Sequence, residues 1–128
     1  SSRYKPRMSV SQSYLDYVVE RLSVIGTVTA RKMFGGAGLY HRGLFFALVD
    51  DDVLYFKVDD SNRSDYETAG MNAFRPFADK PDYVMSYYEL PGDVLEDDAL
   101  LKAWAAKTVA IASAKSKSKP APRKLKKK

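Results

Sequence analysis

The chain has 128 residues, 45% of them hydrophobic, which suits one globular domain with a single core. It contains no cysteine, which excludes disulfides, thiol catalysis and cysteine-ligated zinc, and no apolar run approaches the roughly 20 residues that span a bilayer. The net charge of +5 conceals a segregation: residues 1–8 carry three basic residues, residues 115–128 carry eight, and the 9–114 body holds all 16 acids against ten bases, a net of −6. An acidic body with basic ends gives no support to a basic nucleic-acid face on the domain itself.

Residues 1–8 lack periodicity and read as a disordered leader, with Met8 a candidate native start. The apolar stripe Tyr14, Leu15, Val18, Val19, Leu22 and Ile25 then predicts an amphipathic helix, with Ser13 and Asp16 as its cap and Gly26 as its stop. Three strands follow at 38–43, 44–49 and 53–58, rich in aromatic and β-branched residues. Their short connections, Gly43 and Asp50–Asp52, make them antiparallel, and alternation turns Leu54, Phe56 and Val58 toward the helices. A short helix is expected over 59–69, capped by Asp60 or Ser61 and closed by a left-handed Gly70. Two further strands lie at 73–77 and 83–90, the first an edge because of Pro76. A last helix begins after Asp97 and Asp98 and places Leu101, Trp104 and Ile111 on the sheet. The helical signal fades after Ala112 into a disordered basic tail, residues 115–128. The reading is an α+β domain over 9–114, an antiparallel sheet of about five strands with flanking helices in the order α-β-β-β-α-β-β-α.

Gly35, Gly36 and Gly38 suggest a phosphate-cradling loop, but they lead into strand, whereas such a loop must open onto a helix whose amides meet the anion. A bend or bulge between strands is the better reading. Asp50, Asp51 and Asp52 read as a solvated hairpin turn, with no regularly spaced further ligands for a cation. His41 is the sole histidine and, lacking a nucleophile or orienting carboxylate nearby, reads as a strand-surface residue beside Arg42. Tyr40, Phe46, Tyr55, Tyr83, Tyr87 and Tyr88 make the sheet aromatic. In an acidic body, core packing or a protein interface outweighs base stacking. Arg31, Lys32 and Arg42 form either a local basic spot or ordinary salt bridges to Asp50–Asp52 or Glu89. No catalytic constellation, metal site or cofactor motif emerges.

The stretch "VTARKMFGGAGLYHRGLFFALVDDDVLYFKVDD" (28–60) resembles the signature of the TfoX/Sxy N-terminal domain family, and "NRSDYETAG" (62–70), "PFADKPDYVMSYYELPGDVLED" (76–97) and "LLKAWAAKTVAIA" (100–112) continue the likeness. The resemblance implies a secretion-chaperone-like α+β fold and a role like that of bacterial competence regulators, which work in the cytoplasm with a cyclic-AMP-dependent transcription activator. Those regulators carry a second, helical domain, where this chain has only its basic tail after Ala112. It also marks Arg31, Lys32, Met33, Phe34, Gly35 and Gly36 as the signature region and candidate contact site. The expected function is therefore a non-enzymatic regulatory or adaptor domain that works through an as yet unidentified, transcription-related protein partner, without cofactor or membrane. A symmetric homodimer through strand or aromatic-face contacts is a further expectation. The alternative is nonspecific nucleic-acid binding by Lys115, Lys117, Lys119, Arg123, Lys124, Lys126, Lys127 and Lys128 in the tail.

Overall fold

The computed structural model describes residues 11–33, 36–76, 79–80, 82 and 85–118, with side chains through Lys115. Helix α1 (Gln12–Leu22) leads through a 3₁₀ turn (Ser23–Ile25) into strands β1 (Thr29–Met33), β2 (Gly36–His41), β3 (Leu44–Asp50) and β4 (Val53–Lys57). Helix α2 (Arg63–Thr68), strands β5 (Ala73–Phe74) and β6 (Met85–Glu89), and helices α3 (Gly92–Leu95) and α4 (Asp98–Ser118) complete the order. All pairings are antiparallel, and the six-stranded sheet runs β1-β2-β3-β4-β6-β5. The α+β class is as the sequence implies. The strand count is six rather than about five because Thr29–Met33, exposed on both faces, lacks the apolar alternation that marks a strand.

Local chemistry explains the element ends, with some corrections. Helix α1 begins at Gln12 because Ser11, not Ser13, is its cap, its hydroxyl accepting from the Tyr14 amide at 3.2 Å. Gly26, at φ 120°, ends the 3₁₀ turn as expected. Helix α2 is shorter than 59–69 and is preceded by Asn62, while Asp59 instead accepts from the Ser61 amide and hydroxyl. Gly70 takes the left-handed position, at φ 78°. Asp97 caps α4, accepting from the Leu100 amide at 3.0 Å. That helix runs six residues past Ala112 to Ser118, so Lys115 and Lys117, placed by the sequence in the disordered tail, belong to it; Lys119 to Lys128 lie outside the described residues. The β2–β3 and β3–β4 hairpins turn through left-handed pairs, Arg42–Gly43 and Asp51–Asp52, whose twist suits two-residue antiparallel connections.

The core lies between the sheet and helices α1 and α4. Leu15, Val18 and Leu22 meet Leu39, Val49, Leu54, Phe56 and Val58, with Leu101 and Ala105 from α4. Leu54, Phe56 and Val58 face the helices as alternation requires. Among α4's expected contacts, Leu101 and Ile111 are buried and Trp104 is half-buried, its ring edge-on to Tyr66 at 4.8 Å. Leu100 begins the apolar pattern yet stays 43% exposed. A register shift between Leu39 and Tyr40 leaves Phe46 as an extra residue in β3, so Phe46 and Ala47 are both fully buried. Phe46 thus belongs to the core and not to an aromatic surface.

Two buried polar groups behave oppositely. The Thr108 hydroxyl of α4 lies 2.6 Å from the Lys57 carbonyl and 3.3 Å from that of Phe46, tying the helix to the strand ends. The Tyr66 hydroxyl is buried with no hydrogen-bond partner among the described residues, and burial pushes its pKa up. Because an unsatisfied buried hydroxyl costs about 1–3 kcal/mol, Tyr66→Phe is expected to stabilise the domain by about 1 kcal/mol. Chemical denaturation checks this; a loss of stability would mean that the hydroxyl is satisfied.

Candidate functional site

Among the described residues, Arg31, Lys32 and Met33 of the signature region lie on an edge strand of the sheet. Strand β1 pairs, among the described residues, only with β2, in the register Arg31↔Gly38, Lys32↔Ala37 and Met33↔Gly36. Thr29, Ala30, Arg31 and Lys32 are exposed and Met33 is half-buried, while Phe34 and Gly35 lie outside the described residues. The opposite edge, β5, has two residues and is followed by Pro76, a short and blunted edge of the kind that resists pairing. In an antiparallel ladder alternate residues turn their amide and carbonyl away from a single neighbour, so β1 offers an unsatisfied hydrogen-bonding rim.

Of the three glycines the described Gly36 and Gly38 serve this geometry, and Gly35 lies outside the described residues. Gly36 and Gly38 lie within β2, and the chain continues as strand with no helix N-terminus beyond them. A Cβ on Gly36 would lie under 3.0 Å from the Val49 carbonyl oxygen, so the backbone of β3 occupies the space of a side chain. On Gly38 it would meet Met33 Cε at 2.8 Å and Phe45 Cε1 at 2.9 Å, both ends of side chains that lean across the strand. Gly36 is therefore explained by close packing of strands.

Each side of the β1 edge has its own chemistry. On the helix side a groove of about 480 Å³ is lined by Leu15, Asp16, Val19 and Glu20 of α1 and by Ala30 and Lys32 of β1. On the other side the Arg31 guanidinium sits 5.7 Å from the Tyr40 ring centroid, Tyr40 stacks on Phe45 at 5.2 Å, and Phe45 meets Tyr87 at 5.8 Å. Lys57 Nζ lies 4.7 Å from the Tyr87 ring centroid. Burial raises the Tyr87 hydroxyl to about 12. These rings stack on one another, Tyr87 is buried, and Tyr40 and Tyr55 are half-buried, which is cross-strand packing and not a platform for bases. Tyr88 packs toward Tyr66 at 6.0 Å, and Tyr83 lies outside the described residues.

His41 is not a strand-surface residue: it is 8% exposed, and its Nδ1–H donates to the Thr27 carbonyl at 2.9 Å. Its ring closes against Gly26, where a Cβ would come 3.1 Å from Cε1. It anchors the loop that feeds β1. Composition alone gave no sign of this, because the partner is a backbone carbonyl 14 residues away. Together with Thr29 and Arg42 it borders a second depression of about 460 Å³ at the Thr29 end of the edge, with no carboxylate in its lining.

The acidic turn is structural. Asp52 accepts from the Ser11 amide at 2.8 Å, which fixes the start of α1, and among the described residues no three His, Asp or Glu side chains converge as metal ligands. Burial, then the neighbouring Asp51, raises the Asp50 pKa. A carboxyl whose folded pKa is raised destabilises the fold above that pKa, and the penalty vanishes as pH falls below the unfolded value. Asp50→Asn is accordingly expected to stabilise the domain at pH 7 and to make no difference near pH 3 in paired denaturation curves. An equal gain at both pH values would refute the electrostatic cause.

Among the described residues Arg31, Lys32 and Arg42 make no ion pair with Asp50–Asp52 or Glu89, and they do not share one face: Arg31 lies over Tyr40, Lys32 lines the groove against α1, and Arg42 sits in the β2–β3 turn. Residues 26–49, which form the outer hairpin and most of β3, contain Arg31, Lys32 and Arg42 and no carboxylate, although the body as a whole is net −6. No helix among the described residues is long and apolar enough to cross a membrane. Comparison with known proteins finds that a family model described as the TfoX N-terminal domain matches residues 20–112. No curated protein matches the chain.

Proposed function

Because the chain belongs to the TfoX N-terminal domain family, we propose that it is a non-enzymatic regulatory or adaptor domain of the competence-regulator type, acting through contacts with a protein partner. The observation that carries this reading is the position of the signature: Arg31, Lys32 and Met33 form the open edge strand, beside a groove, while the other edge is short and blunted. An open edge of exposed residues is a liability unless something pairs with it, so its presence supports a binding role.

Arg31 and Lys32 are exposed and support no core contact, so their replacement leaves the fold intact and isolates the surface. Affinity capture from the source organism, with a photo-crosslinking residue at position 32, is expected to recover a defined protein that Arg31→Glu loses. Recovery of the same proteins by the wild type and by that variant would remove the edge from the account. Recovery of nothing across salt and growth conditions would count against the adaptor reading itself.

A further inference from the structure

We propose that strand β1 receives an extended segment of a partner protein as a seventh strand, and that this segment is acidic at alternate positions, its acids on the Arg31 side and apolar residues between them entering the groove against α1. The inference rests on the adaptor reading and gives the partner its chemistry.

Three observations set that pattern. The first is the edge itself, paired among the described residues on one side only and exposed along Thr29–Lys32, which supplies main-chain hydrogen bonds to any added strand. The second is the division of side chains: a strand laid beside β1 sends alternate residues to opposite faces. Those entering the groove meet Leu15, Val19 and Ala30, with Asp16 and Glu20 on the helix wall and Lys32 on the strand side, so two carboxylates against one ammonium leave this parity to apolar residues rather than acids. Those on the other face lie beside Arg31 and toward the Thr29 end, where Arg42 borders a depression without carboxylates. The third is charge: residues 26–49 are acid-free and carry three cations, so the outer hairpin presents positive potential on an otherwise acidic body.

A second copy of the chain does not meet these requirements. Antiparallel self-pairing that continues the sheet keeps residues of one parity on one face, so both Arg31 side chains would share a face within about a Debye length of each other. Like charges placed this way are a device against edge-to-edge pairing. The strand that complements β1 therefore has the opposite charge on the Arg31 parity.

The test uses the full chain and synthetic peptides. A fluorescein-labelled peptide alternating valine with glutamate is compared with its valine–lysine counterpart and with the glutamate peptide N-methylated at alternate residues. Binding is followed by fluorescence polarisation, and the site by amide exchange at residues 29–33. The glutamate peptide is expected to bind at least about tenfold more tightly than the lysine peptide, to protect the β1 amides, and to weaken about tenfold with Arg31→Glu, a loss of about 1.4 kcal/mol. Lys32→Glu provides a second folded variant with a smaller loss. N-methylation is expected to abolish binding, because it removes the ladder and leaves the charges. Equal binding of the glutamate and lysine peptides, or unchanged binding on N-methylation, would overturn the proposal. So would a light-scattering dimer whose own β1 amides are protected without peptide. Crosslinked partner recovery at position 32 with no acidic-peptide preference would reject the strand chemistry while the adaptor reading stands.

Discussion

Phe46→Ala is expected to cost the domain about 3–5 kcal/mol, a large fraction of the roughly 5–15 kcal/mol that folded domains hold in reserve. Phe46 is fully buried, its ring lies 6.0 Å from that of Phe56, and its carbonyl lies 3.3 Å from the Thr108 hydroxyl of α4. The loss has two parts: the transfer free energy of the ring and the cavity it leaves. The cavity cannot collapse easily, because Phe46 is the extra residue of a bulge whose register is fixed by Leu39↔Ala47 on one side and Tyr40↔Phe45 on the other. Urea denaturation at neutral pH measures the effect, and Phe46→Leu is the control, expected to retain all but about 1–2 kcal/mol. A cost under about 1.5 kcal/mol for the alanine variant would mean that the strand slips to remove the bulge and refill the space.

Gly36→Ala is the second large effect, with an expected cost of about 3 kcal/mol and a melting temperature lowered by roughly 10 °C or more. The added methyl meets the Val49 carbonyl oxygen, a backbone atom locked in the β2–β3 ladder, so relief requires two strands to separate. Gly38→Ala is the internal comparison. Its methyl meets Met33 Cε and Phe45 Cε1, which rotate away, so the cost is expected to stay near 1 kcal/mol. Thermal melts of the two variants side by side decide the matter. Equal destabilisation would show that the strands yield as readily as side chains do. The ranking also separates packing from function inside the signature: Gly36 serves the fold, whereas Arg31 and Lys32, exposed at the edge, are free to serve a partner.

By itself the sequence determined the class of the fold. Helix α1 and helix α4 announce themselves by apolar residues at helical spacing, and Leu54, Phe56 and Val58 by strict alternation, because one-sided burial imposes those periods. Gly26 and Gly70 stop their segments for a local reason, the left-handed backbone that a chain end there requires. Only the tertiary structure decided what depends on neighbours distant in sequence. Strand β1 carries no apolar alternation, since an edge strand whose first four residues are exposed buries too little to print a period, and it became a strand through its ladder to β2. Phe46 and Ala47 are adjacent and both buried, which no period of two allows; the bulge that permits it is set by register with β2. His41 looked like a surface residue because its partner is the Thr27 carbonyl, a group every residue has and no composition reveals. The candidate site followed the same division. The basic residues Arg31, Lys32 and Arg42 were legible one by one, but the place of Arg31 and Lys32 on an edge strand beside a groove, with Arg42 in the β2–β3 turn, came from the order in which the chain lays down its strands.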